Sequence, residues 1–166
     1  KKIHDFIKSI RNHGMLNRNK VERFGSVSRM DNLQAAILNF RLNNLKKIIS
    51  MRQKNVKLNK ENLDLKNIYL PKDEPEQFNT FHTFVIQVSN RDQLKKFLEK
   101  KGIYTSIHYP IPIHLQPASK KFKYKLGDFP KTEEQAKKII TLPINQFVSK
   151  KEILYICKMI NYFYNR

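Results

Sequence analysis

Between Met30 and Leu70 the chain contains neither proline nor glycine. Apolar residues recur there at helical spacing, in one row of Leu33, Ile37 and Phe40 and a second of Leu38, Leu42, Leu45 and Ile49. Rows three and four apart predict a helix of roughly 25–35 residues from Met30, ending between Asn55 and Leu65. At 1.5 Å per residue it would be about 40–50 Å long. A helix so long and so apolar needs partners on more than one side. Its start lies in Gly25-Ser-Val-Ser-Arg-Met-Asp-Asn-Leu-Gln-Ala-Ala36, where Ser28 and Asp31 have the spacing of a capping box.

Free backbone N–H groups and the positive end of the helix dipole converge at such a start. Ser26, Ser28 and Arg29 sit among them, which makes a chemically sound anion site. An ordinary cap beside a solvated arginine accounts for the same residues, and the stretch alone leaves both readings open.

The 166 residues suffice for one domain with a real core. The chain opens mid-pattern on Lys1-Lys-Ile-His-Asp-Phe-Ile without an initiator methionine and reads as a piece of something longer. No apolar run approaches the roughly 18 residues of a membrane span, and no signal-peptide pattern is visible. The single cysteine, Cys157, makes no intrachain disulfide and lies on an apolar helical row, which fits a reducing, cytoplasmic compartment. The net charge of +19 invites a nucleic-acid reading. The lysines are spread over nearly every expected helix face, however, without the basic–aromatic interleaving that stacks bases. A basic, non-catalytic module for nucleic acid or an anionic surface is therefore the alternative rather than the favoured reading.

In chain order, Ile3, Phe6, Ile7 and Ile10 predict a helix stopped near Gly14. Residues 66–80, with Pro71 and Pro75, have loop chemistry. Phe81–Val88 is rich in β-branched and aromatic residues and predicts a strand. Ser89 and Asp92 repeat the capping-box spacing before a helix that buries Leu94, Phe97 and Leu98 and closes at Gly102. Ile103–His108 predicts a second strand. Thr132–Ile140 predicts a helix ended by Leu142-Pro143, and Ser149/Glu152 caps a last helix with Ile153, Ile156, Cys157, Ile160 and Phe163 inward. The outcome is an α+β layer, a small sheet flanked by helices.

Tyr109-Pro-Ile-Pro-Ile-His-Leu-Gln-Pro117 is neither helix nor central strand, because its prolines remove donors and fix φ. It predicts a stiff extended loop. His108, Tyr109, His114 and Gln116 on such a loop suit contacts to phosphate or hydroxyl oxygens; buried Tyr and His bracing the prolines is the competing reading. His82, His108 and His114 lack metal-ligand spacing, and no metal site is expected. These residues alone assemble no nucleophile–base pair and no glycine-rich phosphate cradle.

Taken together and in order, Arg11-Asn-His-Gly14, Gly25–Ala36, His82-Thr-Phe-Val-Ile, Gly102–Pro117, Phe129-Pro-Lys-Thr-Glu-Glu-Gln-Ala and Leu142-Pro143 closely resemble the DegT/DnrJ/StrS family. These are pyridoxal-phosphate-dependent aminotransferases acting on nucleotide-linked sugars. The resemblance covers essentially the whole chain and implies the C-terminal small domain of a fold-type-I aminotransferase, a small antiparallel sheet flanked by helices with a long interdomain helix. Residues 1–28 would be a remnant of the large cofactor-binding domain, 29–65 the interdomain helix and 66–166 the small domain. It implies amino transfer, usually from glutamate, to a nucleotide-linked keto sugar in a cytoplasmic homodimer whose active sites lie at the interface. The family's Schiff-base lysine lies upstream of the Arg-x-His-Gly motif, so the piece alone would be inert. By matched position, Ser28 and Arg29 would meet pyridoxal 5'-phosphate, and Arg29, His108 and Tyr109 would meet substrate. The family usually reads Gly-x-Asn-Ser-Arg; here Val27 stands for the Asn, and it cannot make the phosphate contact that an amide would.

Overall fold

The computed structural model describes residues 1–165. The chain divides into two compact units, Lys1–Leu45 and the residues from Lys46 on.

In the first unit, α1 (Lys2–Ile10) leads into a short antiparallel hairpin, β1 (Met15–Asn17) and β2 (Lys20–Val21), paired Met15 to Val21 and Asn17 to Lys20. The chain then returns alongside the end of α1. The Ser26 and Ser28 N–H groups donate to the carbonyls of Ile10 (3.1 Å) and Arg11 (3.0 Å), and the His13 N–H donates to Ser26 (3.3 Å). Asn12 and Val27 form an isolated antiparallel bridge. Two glycines permit this close approach. A Cβ on Gly25 would collide with the Ile10 carbonyl and come within 2.7 Å of the Gly14 nitrogen; Gly14, at φ +71°, has the Arg23 backbone against it. The two motifs Arg11–Gly14 and Gly25–Arg29 are thus closed into one clasp by backbone hydrogen bonds.

The clasp delivers the chain to α2 (Asn32–Leu42). Asp31, rather than Ser28, is the N-cap, and the Gln34 side chain accepts from the Asp31 N–H at 3.4 Å. Ser28 is unavailable for capping because its backbone already belongs to the clasp. The run expected as one helix is realised as two, α2 and α3 (Leu45–Asn62), parted by a turn at Asn43-Asn44. Adjacent asparagines supply side chains that compete with the helical ladder, which is where a long helix yields. No residue of α2 is buried.

The second unit contains a three-stranded antiparallel sheet ordered β3–β4–β5, with β3 at Ile68–Tyr69, β4 at Phe84–Val88 and β5 at Ile139–Leu142. β4 pairs with β3 from Ile68–Val88 to Tyr69–Gln87, and with β5 from Phe84–Leu142 to Gln87–Ile139. Phe84, Ile86 and Val88 alternate into the core, where they meet Leu94 and Leu98 of α4 (Arg91–Lys100), Val56 of α3, and Ile153, Ile156, Cys157 and Ile160 of α6 (Lys150–Tyr164). Burial pushes the Cys157 thiol up to about 11, so it is an inert core group.

Polar side chains tie α3 to this core. Arg52 donates to the carbonyls of Phe81 (3.2 Å) and His82 (3.1 Å) and to Gln146 (3.2 Å), and Asn55 donates to those of Asn145 and Val148. Arg91 is buried and donates to the carbonyls of Ala136 (3.3 Å) and Ile139 (3.0 Å), closing the end of α5 (Pro130–Lys138).

Three sequence expectations change here. The helix expected through Ile140 ends at Lys138, and Ile-Ile-Thr-Leu is β5: its β-branched run fits the pleated, buried place beside β4 better than another helical turn. The strand expected over 103–108 is reduced to a single bridge between Ser106 and Thr141, as the chain turns into the prolines that follow. The Ser89/Asp92 capping box is absent; Asn90, at φ +53°, is the N-cap, and Asp92 pairs with Arg91 at 2.6 Å. The Ser149/Glu152 box forms as expected, with the Ser149 N–H donating to the Glu152 carboxylate at 2.7 Å.

Candidate functional site

The clasp of the first unit holds an open groove of about 770 Å³, lined by Arg11, Ser28, Arg29 and Gln34 on its polar side and by Ile7, Met30, Ile37 and Leu38 on its apolar side. Ser28 and Arg29, expected as cofactor contacts, share this groove. The Arg29 guanidinium donates to Asn12 Oδ1, so the arginine is oriented by the other half of the clasp. Asn12 is not singled out as a site residue by the sequence; its place inside the Arg-x-His-Gly motif is the available signal. A guanidinium has five donors in a fixed fork, and one bond to Asn12 leaves others for an anion. Val27 sits in the bridge to Asn12 with its side chain more than half exposed, a methyl surface where an amide would donate.

In the second unit, His108 and Tyr109 follow Ser106, whose backbone is bonded both ways to Thr141 (2.8 and 3.2 Å). His108 is exposed, and its Nδ1 lies 2.9 Å from Thr141 Oγ1. Tyr109 is 73% exposed and stands edge-on to the His108 ring, with centroids 5.5 Å apart. These two side chains are therefore adjacent and presented.

His114 and Gln116, by contrast, are spent within the loop. His114 is buried, and its Nε2 donates to Glu133 at 3.0 Å. Gln116 donates to the Ile111 carbonyl at 3.2 Å. The loop is also less extended than expected, because 3₁₀ turns occupy Ile113–Leu115 and Pro117–Phe122. Glu133 clips it from α5, accepting from the N–H groups of Gly127 (2.8 and 3.0 Å) and Phe129 (3.3 Å) as well as from His114. Burial raises the Glu133 pKa, but the Gly127, His114 and Phe129 donors outweigh it and hold the carboxyl below its ordinary 4.5. Bracing is thus the role of His114. His82 is exposed on the approach to β4, and no three metal-ligating side chains converge among the described residues.

The model of the DegT/DnrJ/EryC1/StrS aminotransferase family matches residues 1–161. The chain belongs to that family. The family is pyridoxal-phosphate-dependent. Its member from Streptomyces venezuelae, dTDP-3-amino-3,4,6-trideoxy-alpha-D-glucose transaminase, is 32% identical over 154 residues, covering 90% of this chain and 40% of the relative. The "Pleiotropic regulatory protein" of Geobacillus stearothermophilus is 33% identical over 160 residues, covering 93% of this chain and 42% of the relative. The crystal structure of S. venezuelae DesV in complex with a ketimine intermediate superposes with a TM-score of 0.92 at 29% identity, over 99% of this chain and 45% of that one. The chain thus spans about two fifths of the length of the curated relatives it matches. The resemblance read from the motifs and the α+β small-domain fold are both borne out.

Proposed function

We propose that this chain is the C-terminal portion of a pyridoxal-phosphate-dependent aminotransferase that carries an amino group, with glutamate as donor, to a nucleotide-linked keto sugar. In this reading residues 1–28 complete a large domain, 29–65 link it to the small domain, and 66–166 form the small domain. The working unit is a cytoplasmic homodimer with the active site at its interface. The observation that carries the proposal is the groove of the clasp, where an oriented guanidinium and a hydroxyl face an apolar wall. That pairing suits an anionic group on an otherwise apolar, planar body.

The groove fits one end of the cofactor only. Ser28 and Arg29 are suited to its phosphate or to a substrate carboxylate, whereas no lysine is among the lining residues. When bound, pyridoxal phosphate supplies the electron sink for amino transfer. Arg29 then binds and orients an anion, Ser28 offers a hydroxyl beside it, and His108 and Tyr109 offer an imidazole and a phenol to oxygens of the sugar substrate. The imine-forming lysine lies outside the chain, and the chain alone is inactive.

The test is amino transfer by the complete protein. Arg29→Ala removes one or two charge-assisted hydrogen bonds and is expected to raise KM for an anionic substrate about 10–100-fold. Unchanged kcat and KM would remove Arg29 from the site. Lack of any amino transfer by the complete wild-type protein would remove the enzyme reading itself.

A further inference from the structure

Thr141 lies in β5 and is held on both sides. It pairs with Val85 of β4 and exchanges two backbone hydrogen bonds with Ser106. Its side chain is buried and, being β-branched, stiff at χ1. Among the described residues, the one hydrogen-bond partner of its hydroxyl is His108 Nδ1, at 2.9 Å. A buried hydroxyl hydrogen without an acceptor is costly, whereas an oxygen lone pair left unused costs less. The arrangement that satisfies Thr141 has Oγ1–H donating to the Nδ1 lone pair. The proton of the neutral imidazole is then on Nε2, which makes no hydrogen bond among the described residues. His114 is the contrast within the same loop, since its Nε2 proton is spent on Glu133.

We propose that Thr141 is a positioning residue: it fixes His108 as an Nε2–H donor, aimed at an acceptor oxygen of the sugar-nucleotide substrate. The proposal rests on the reading of His108 as a substrate contact. The shared ligand chemistry is an oxygen lone pair, whether of a phosphate, a carbonyl or a hydroxyl. Donor-out geometry discriminates against a ligand that offers an N–H or O–H donor at that point without an acceptor.

The ring tautomer of His108 is read directly from long-range ¹H–¹⁵N spectra of the ¹⁵N-labelled 166-residue chain. The wild type and Thr141→Ser are expected to hold the Nε2–H form, while Thr141→Val moves a substantial share of the ring to Nδ1–H. A wild-type ring protonated at Nδ1, or a Thr141→Val ring with an unchanged tautomer, overturns the proposal. Should Thr141→Val fail to fold, the wild-type and Thr141→Ser spectra still decide it. In the complete protein, Thr141→Val is expected to raise KM for the nucleotide sugar about tenfold, the worth of one misdirected hydrogen bond, with Thr141→Ser within about twofold of wild type. Equal KM values for wild type and Thr141→Val overturn it. His108→Ala with unchanged KM overturns the substrate reading of His108 and leaves the tautomer result to judge Thr141 separately.

Discussion

Two helices that follow one another in the chain have opposite surroundings. α2 has no buried residue, and Leu33, at 74% exposure, Ile37, Leu38, Phe40 and Leu42 all meet solvent. α3 puts Val56 and Asn59 inside the second unit and is anchored there through the Arg52 and Asn55 side chains and through the Asn62 carbonyl, which accepts from Asn161. Apolar content does not account for this, since the exposed helix α2 is the more apolar of the two. What separates them is whether the chain itself supplies the covering layer. The second unit brings a sheet and α6 to α3; the first unit brings α2 nothing that buries it. An exposed apolar face of this extent marks an interface. In the proposed enzyme the rest of the large domain and the twin subunit are that cover, and the clasp bearing Arg29 lies at the start of this uncovered helix.

The contrast can be broken by substitution, and the largest effect belongs to the second unit. Ile86→Ala removes a fully buried side chain at the centre of β4 and is expected to cost about 2–5 kcal/mol in urea denaturation. Next, Gly25→Ala forces a methyl group into the clasp and is expected to cost about 1–3 kcal/mol locally. Amide exchange at Ser26 and Ser28 would accelerate while the urea midpoint of the second unit stays put; slow exchange in the variant would mean that the clasp tolerates the methyl. Ser149→Ala deletes the cap of α6 and is expected to cost about 1 kcal/mol.

A pH-gated effect comes from Glu133. Its carboxyl has a lower pKa folded than unfolded, so its contribution is fully present above about the ordinary 4.5 and is lost as pH falls through the lowered value. Glu133→Gln should lower the denaturation midpoint at neutral pH and flatten its fall below pH 4.5; an acid limb as steep as wild type would show that other carboxylates carry it. The smallest effect is Leu33→Ala, within about 0.5 kcal/mol in the chain alone, because nothing is packed on it. In the assembled protein the same change is expected to cost more, and equal costs would mean that α2 stays uncovered there.

The core of the second unit was legible in the sequence. Phe84, Ile86 and Val88 alternate as a strand should, and Ile153, Ile156, Cys157 and Ile160 keep helical spacing. β5 was not legible, because Ile-Ile-Thr-Leu continues the preceding helical pattern and only its seat beside β4 decides for a strand. The break at Asn43-Asn44 had a local signal in its two asparagines, outweighed by apolar rows running past it. At the site, Arg29 was found by motif and chemistry, but its partner Asn12 lies 17 positions earlier, a pairing no local spacing encodes. For His108 and His114 the residue type was equally informative and equally ambiguous. One is presented and the other buried because Glu133, 19 positions further on, claims the second.

Amide hydrogen exchange on the 166-residue chain, and then on the complete protein, tests the difference between the two units most directly. The account predicts protected amides in β4 and α6 and rapid exchange along Asn32–Leu42 in the chain alone, with α2 becoming protected in the complete protein. Equal protection of α2 and α6 in the chain alone, or an α2 that exchanges just as fast in the complete protein, would contradict it.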